Sequence, residues 1–134
     1  SLNINPDSGY WVRIVANHAA KFITLVGSIS GTGRTAAIAK GNNFVGTSYP
    51  VQVAIENSGL SVSGATAGAI MPLSCQVSKY DSATGTYDVA WLSSGGQWKT
   101  QAGGVSTMVL EPGKGYWIKE PAGSGYTWNY PKPY

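Results

Sequence analysis

Hydrophobic and polar residues alternate one by one along most of the chain, which is the period of a β-strand. Clear examples are the segments 10–16, Thr86–Leu92 and Gly115–Glu120. Glycine and proline interrupt this pattern at intervals of about 8–12 residues, as in antiparallel sandwiches and barrels. No segment of eleven or more residues repeats its apolar residues at the spacing of an amphipathic helix.

The pattern therefore predicts an all-β domain, an antiparallel β-sandwich or barrel-like fold with about 9–12 short strands and little or no helix. We expect the whole chain, residues 1–134, to form one domain of this kind. Asp81 and Gly85 bound a predicted five-residue hairpin loop, and Pro112-Gly113 predicts a type II turn. The predicted strands are 10–16, 21–28, 34–39, 43–47, 51–55, Leu60–Ser63, 76–80, Thr86–Leu92, 97–100, 107–110, Gly115–Glu120 and Tyr126–Tyr130.

Three motifs follow one another between residues 43 and 118. They are N-x-V-G-x-x-Y-P at 43–50, Y-D-x-x-T-G-x-Y at 80–87, and P-G-x-G-Y-W-I at 112–118. In this order they resemble the motifs of largely uncharacterised secreted and surface β-domains of bacteria. The resemblance spans roughly residues 24 to 120. It implies an all-β module in an exported or surface-anchored protein, and it implies no particular activity.

Charge is sparse and scattered along the sequence. Charged residues make up 11% of the chain, against about 25% in typical domains. The net charge is +3, and no two of the nine basic residues are adjacent, so the sequence predicts no nucleic-acid binding. No apolar run reaches the roughly 20 residues of a membrane-spanning helix, so membrane insertion is not expected. We expect an extracellular or cell-surface location, with Ser1 fitting a mature or a trimmed chain.

Residues that could carry catalysis are few and dispersed. The six acidic residues form no evident pair, and the single histidine, His18, lies in a predicted hairpin loop. Cys75 stands among apolar residues and is predicted to be a buried small hydrophobe. We therefore predict a protein that is not an enzyme, with no metal site and no cofactor.

Aromatic residues are the strongest functional signal. Ten of the fifteen lie between residues 80 and 134. In one interpretation they fill the core and pair across strands. In the other, exposed rings stack on sugars while polar neighbours bind the hydroxyl groups, which makes the chain a carbohydrate-binding module. The candidate ligand-binding residues are Trp98, Tyr116, Trp117, Trp128, Gln97 and Lys99.

The two ends of the chain suggest self-assembly, which is the leading hypothesis from the sequence. Segments 1–8 and 126–134 alternate like strands, so each can cap its own sheet or join the sheet of a neighbouring subunit. Open-ended contacts of this kind give a fibre, tube or layer of identical subunits. Deleting either end should then abolish assembly and leave the fold largely intact. The candidate assembly residues are Leu2, Ile4, Tyr126, Trp128, Tyr130 and Tyr134.

Overall fold

Strands dominate the structure, as the alternation predicts. The computed structural model describes residues 32–47 and 50–132. These ranges contain nine strands, one short α-helix (α1, Leu60–Ser63) and two 3-10 turns, Ile55–Asn57 and Met71–Leu73. The all-β prediction is confirmed. The strands are β1 Arg34–Ile38, β2 Gly41–Gly46, β3 Val53–Ala54, β4 Gln76–Asp81, β5 Thr86–Leu92, β6 Trp98–Thr100, β7 Val109–Leu110, β8 Gly115–Glu120 and β9 Tyr126–Tyr130.

An antiparallel sheet of five strands, in the order β2-β8-β4-β5-β6, is the main layer. Strands β1 and β9 pair as a separate ribbon, and β3 pairs with β7. The core lies where the inner face of the five-stranded sheet meets this ribbon and α1. Its members include Val77, Ala90 and Ile118 from the sheet and Ile38 and Trp128 from the ribbon.

The hairpin between β4 and β5 follows the turn chemistry that the sequence indicates. Asp81 pairs with Thr86, so the loop has four residues, one fewer than predicted. The Asp81 carboxylate accepts hydrogen bonds from the Ala83 backbone N–H and the Thr84 hydroxyl, both at 2.9 Å. These bonds lower the pKa of Asp81, the Ala83 N–H most of all. Gly85 closes the loop with a φ of 70°, which suits glycine.

The prediction of a strand at Leu60–Ser63 is wrong, because this segment is one turn of α-helix. Glycines in the left-handed region bound it, with φ of 78° at Gly59 and 118° at Gly64. Gly59 also passes so close to the ribbon that a Cβ atom there would lie 2.4 Å from the Asn129 carbonyl oxygen. Backbone contacts with β9 thus fix this turn, and alternation along the segment does not reveal them.

The C-terminal strand caps its own chain. β9 pairs with β1 along its whole length, and Trp128 and Tyr130 are buried, with exposed fractions of 1% and 3%. The Trp128 indole donates a hydrogen bond to the Ser58 carbonyl oxygen at 2.7 Å, and its ring stacks on Tyr130 at 3.7 Å. Tyr126 packs against the same core. Trp128 and Tyr130 are therefore core residues and Tyr126 is partly buried beside them, so these rings are not exposed for a joint between subunits.

Several sequence-based expectations lie outside the described residues. They are the strands predicted at 10–16 and 21–28, the assembly residues Leu2, Ile4 and Tyr134, and His18. Within residues 32–47 and 50–132, no helix has the length and hydrophobicity needed to cross a membrane.

Candidate functional site

The outer face of the five-stranded sheet, defined as the face turned away from the core, is the candidate site. Side chains alternate along β8, so buried Tyr116 and Ile118 point inward while Trp117 and Lys119 point outward. Residues paired across antiparallel strands share a face, which extends the outward set over the sheet. The outer face consists of Asn42, Phe44, Gly46, Gln76, Ser78, Tyr80, Tyr87, Val89, Trp91, Lys99, Gly115, Trp117 and Lys119.

Two pairs of aromatic rings lie on the outer face. Phe44 and Trp117 are register partners, with ring centroids 4.9 Å apart and planes tilted by 42°. Tyr80 and Tyr87 face each other across β4 and β5 at 5.3 Å, edge to face. The two tyrosines are 48% and 44% exposed, while Phe44 and Trp117 are half-buried. Large rings that remain open to solvent on a rigid sheet are typical of a contact surface.

Trp91 belongs to the same face but lies below its surface. Its indole N–H donates a hydrogen bond to the Thr100 carbonyl oxygen at 2.8 Å. The Lys99 ammonium nitrogen lies 5.9 Å from the centre of the ring, within the range of a cation–π interaction. Only 8% of Trp91 is exposed. Trp91 therefore supports the face, and the exposed tyrosines and Trp117 offer the contact area.

Three of the six predicted ligand-binding residues are buried, which corrects the platform expected from the sequence. Exposed fractions are 3% for Trp98, 1% for Tyr116 and 1% for Trp128. The Tyr116 hydroxyl accepts a hydrogen bond from the Glu111 N–H at 2.6 Å, and burial raises the pKa of Tyr116. Trp98 pairs with Leu92 and points into the core from β6. A ring enclosed by protein on both sides has no free face for a sugar.

The other three predicted residues lie at the surface. Trp117 and Lys99 are on the outer face, and exposed Gln97 precedes β6 in a turn. Gln97 borders a surface cavity of about 340 Å³, and a second cavity of about 350 Å³ shares Glu56 and Ser61 with it. Gln97 thus belongs to a groove beside α1, on a different surface from Trp117 and Lys99.

Tyr80, Tyr87 and Phe44 were absent from the predicted site. Alternation along β5 puts Tyr87 on one face with Val89 and Trp91, and the pairing with β4 agrees with this. The sequence does not reveal the order of the strands in the sheet. That order brings β8 next to β4 and so places Trp117 beside the hairpin that carries Tyr80 and Tyr87. The predicted five-residue loop sets Tyr80 opposite Thr86, and only the shorter loop of the structure brings Tyr80 opposite Tyr87.

Cys75 is buried, as predicted from its apolar neighbours. Its sulfur lies 3.9 Å from the Tyr126 hydroxyl, and desolvation, with Glu120 nearby, raises the pKa of the thiol to about 12. A thiol in this setting stays protonated at neutral pH and lacks the thiolate character of a nucleophile. Among the described residues, no three His, Cys, Asp or Glu side chains lie together as metal ligands would.

No protein-family model matches the chain, and comparisons with curated proteins and with solved structures found no match. The function is therefore argued from the residues of the outer face.

Proposed function

We propose that this protein is a non-enzymatic, extracellular carbohydrate-binding module that holds its ligand on the outer face of the five-stranded sheet. One observation carries the proposal: the exposed rings of Tyr80 and Tyr87 share one surface with half-buried Trp117, beside side chains with amide, hydroxyl and ammonium groups. The low charge of the chain and its resemblance to bacterial surface domains support the extracellular location.

Sugars suit such a surface for a physical reason. Each sugar ring has an apolar face of C–H groups, which stacks on the flat face of a tyrosine or tryptophan. Its rim carries hydroxyl groups that need hydrogen-bond partners. Asn42 and Lys119 are exposed on the same face and can supply those partners. Because the residues stand on paired strands, little conformational entropy is lost when a ligand binds.

Alanine substitutions on the outer face should remove binding without unfolding the protein. We expect Tyr80→Ala, Tyr87→Ala and Trp117→Ala each to weaken polysaccharide binding about 10-fold or more, as aromatic anchors commonly do. The measurement is affinity electrophoresis of the full chain in gels that contain a panel of neutral and acidic polysaccharides. Val62→Ala is the control, since Val62 is 89% exposed and lies on α1.

The two tyrosine variants decide the test, because their side chains are exposed and their loss should leave the fold stable. Trp117 is half-buried against Phe44, so its variant is compared only after its thermal unfolding has been measured. Unchanged retention in both tyrosine variants, or no retention of the native protein by any polysaccharide, would contradict the proposal.

Self-assembly remains a second candidate, and one observation favours it. Charged residues make up only 11% of the chain, so identical copies repel each other little when they meet. The expected result is regular filaments, tubes or sheets of the purified protein in negative-stain electron microscopy, lost on deletion of residues 1–6. Dispersed single molecules at neutral pH would count against it.

A further inference from the structure

The described residues of the outer face carry charge of a single sign. Among the described residues, the face carries Lys99 and Lys119 and no acidic side chain. Both lysines belong to one row that crosses the sheet from β2 to β6, perpendicular to the strands. In order, the row consists of Asn42, Lys119, Gln76, Trp91 and Lys99.

The five acidic residues of the described ranges all lie elsewhere. Glu111 forms an ion pair with Lys79 at 3.2 Å, and Glu120 is buried. Glu56 borders the groove beside α1. Asp81 accepts hydrogen bonds within its own turn, and Asp88 pairs in register with Lys79, on the side opposite Tyr87. No carboxylate among the described residues therefore competes for the two outer-face lysines on their own surface.

The geometry suits a ligand with repeated negative charge. Lys119 and Lys99 are three strands apart, which corresponds to about 14 Å at a spacing of about 4.8 Å between neighbouring strands. Trp117 lies in the next row, two residues from Lys119 along β8, and the Tyr80–Tyr87 pair lies one row beyond it. The rings and the two ammonium groups thus share an area of about 14 Å by 14 Å, which a polymer of several sugars can cover.

We infer that the ligand of the outer face is an acidic polysaccharide whose carboxylate groups pair with Lys99 and Lys119 while its sugar rings stack on Tyr80, Tyr87 and Trp117. The inference rests on the proposed function and adds the class of ligand to it. Salt screens the attraction between exposed charges. The electrostatic contribution to the affinity must therefore weaken as ionic strength rises.

The test compares polygalacturonate with its fully methyl-esterified form, which has the same backbone without the charge. We expect the full chain to bind polygalacturonate at least 10-fold more tightly at low salt, and this preference to shrink in 0.5 M NaCl, where the screening length is only a few ångströms. Lys99→Gln and Lys119→Gln should each weaken binding of polygalacturonate about 3-fold, in the range of exposed ion pairs. Lys132→Gln, which removes the same charge beyond β9, is the matched control and should have no effect.

Each other outcome identifies which idea fails. Equal binding of both polymers, unaffected by the lysine substitutions but lost in Tyr80→Ala and Tyr87→Ala, would overturn the acidic ligand and leave carbohydrate binding in place. Binding that is indifferent to the tyrosine substitutions would overturn the proposed function as well. Equally tight binding of single-stranded oligothymidylate, through the same lysines and tyrosines, would overturn the polysaccharide and favour a nucleic acid.

Discussion

Replacing Trp128 with alanine is expected to lower the free energy of unfolding by about 3–5 kcal/mol, the usual effect of removing a large buried aromatic side chain. Trp128 is 1% exposed, stacks on Tyr130 and donates a hydrogen bond to the Ser58 carbonyl oxygen. The variant loses the packing and leaves that carbonyl without its partner. Urea unfolding followed by circular dichroism measures the change.

Thr127→Ala is the matched control, since Thr127 is the neighbouring residue of β9 and is exposed. It should change the free energy of unfolding by no more than about 0.5 kcal/mol. If Trp128→Ala were as harmless as Thr127→Ala, β9 would not be part of the core, and an exposed joint between subunits at this strand would again be the better account.

Glu120→Ala is expected to destabilise the protein by about 3 kcal/mol, because its buried carboxyl group holds the start of a loop. Glu120 is 1% exposed, and its carboxyl oxygens accept hydrogen bonds from the Thr66 N–H at 3.2 Å, from the Thr66 hydroxyl, and from the Ala122 N–H at 3.4 Å. Alanine leaves these donors without a partner inside the protein, and each such loss is costly. Thermal and urea unfolding measure the effect.

Glu111→Ala provides the comparison at the surface. Glu111 is partly exposed in its ion pair with Lys79, and exposed pairs contribute about 0–1 kcal/mol. Glu120→Gln keeps one acceptor oxygen and should fall between the two alanine variants. Equal, small effects of Glu120→Ala and Glu111→Ala would show that solvent reaches the Thr66 and Ala122 donors and that Glu120 has no structural role.

Local patterns in the sequence predict the strands that are flanked by clear turn chemistry. Asp81 and Gly85 define the β4–β5 hairpin because they satisfy its loop, and alternation fixes β5, β8 and β9. The same alternation fails at Leu60–Ser63, where contacts between Gly59 and the Asn129 backbone select a helical turn. That contact joins residues about 70 positions apart, and no local pattern encodes it.

The candidate site was harder to predict than the strands, for a related reason. Alternation shows that Tyr116 and Trp117 point in opposite directions, but it does not say which of the two faces the core. Which of the two side chains faces the core depends on where β9 and α1 pack. They cover the face of the sheet from which Tyr116 projects. Tyr126, Trp128 and Tyr130 look equally suited to a surface until β1 supplies a partner from within the chain.

A titration of the ¹⁵N-labelled full chain with oligogalacturonate, followed by nuclear magnetic resonance, tests the outer face most directly. Indole N–H signals of Trp117 and Trp128 report on the two sides of the sheet within one sample. The account predicts that the Trp117 indole and the backbone amides of Tyr80 and Tyr87 shift with ligand, while the Trp128 indole does not. Shifts confined to Glu56, Ser61 and Gln97 would place binding in the groove beside α1 and contradict the account.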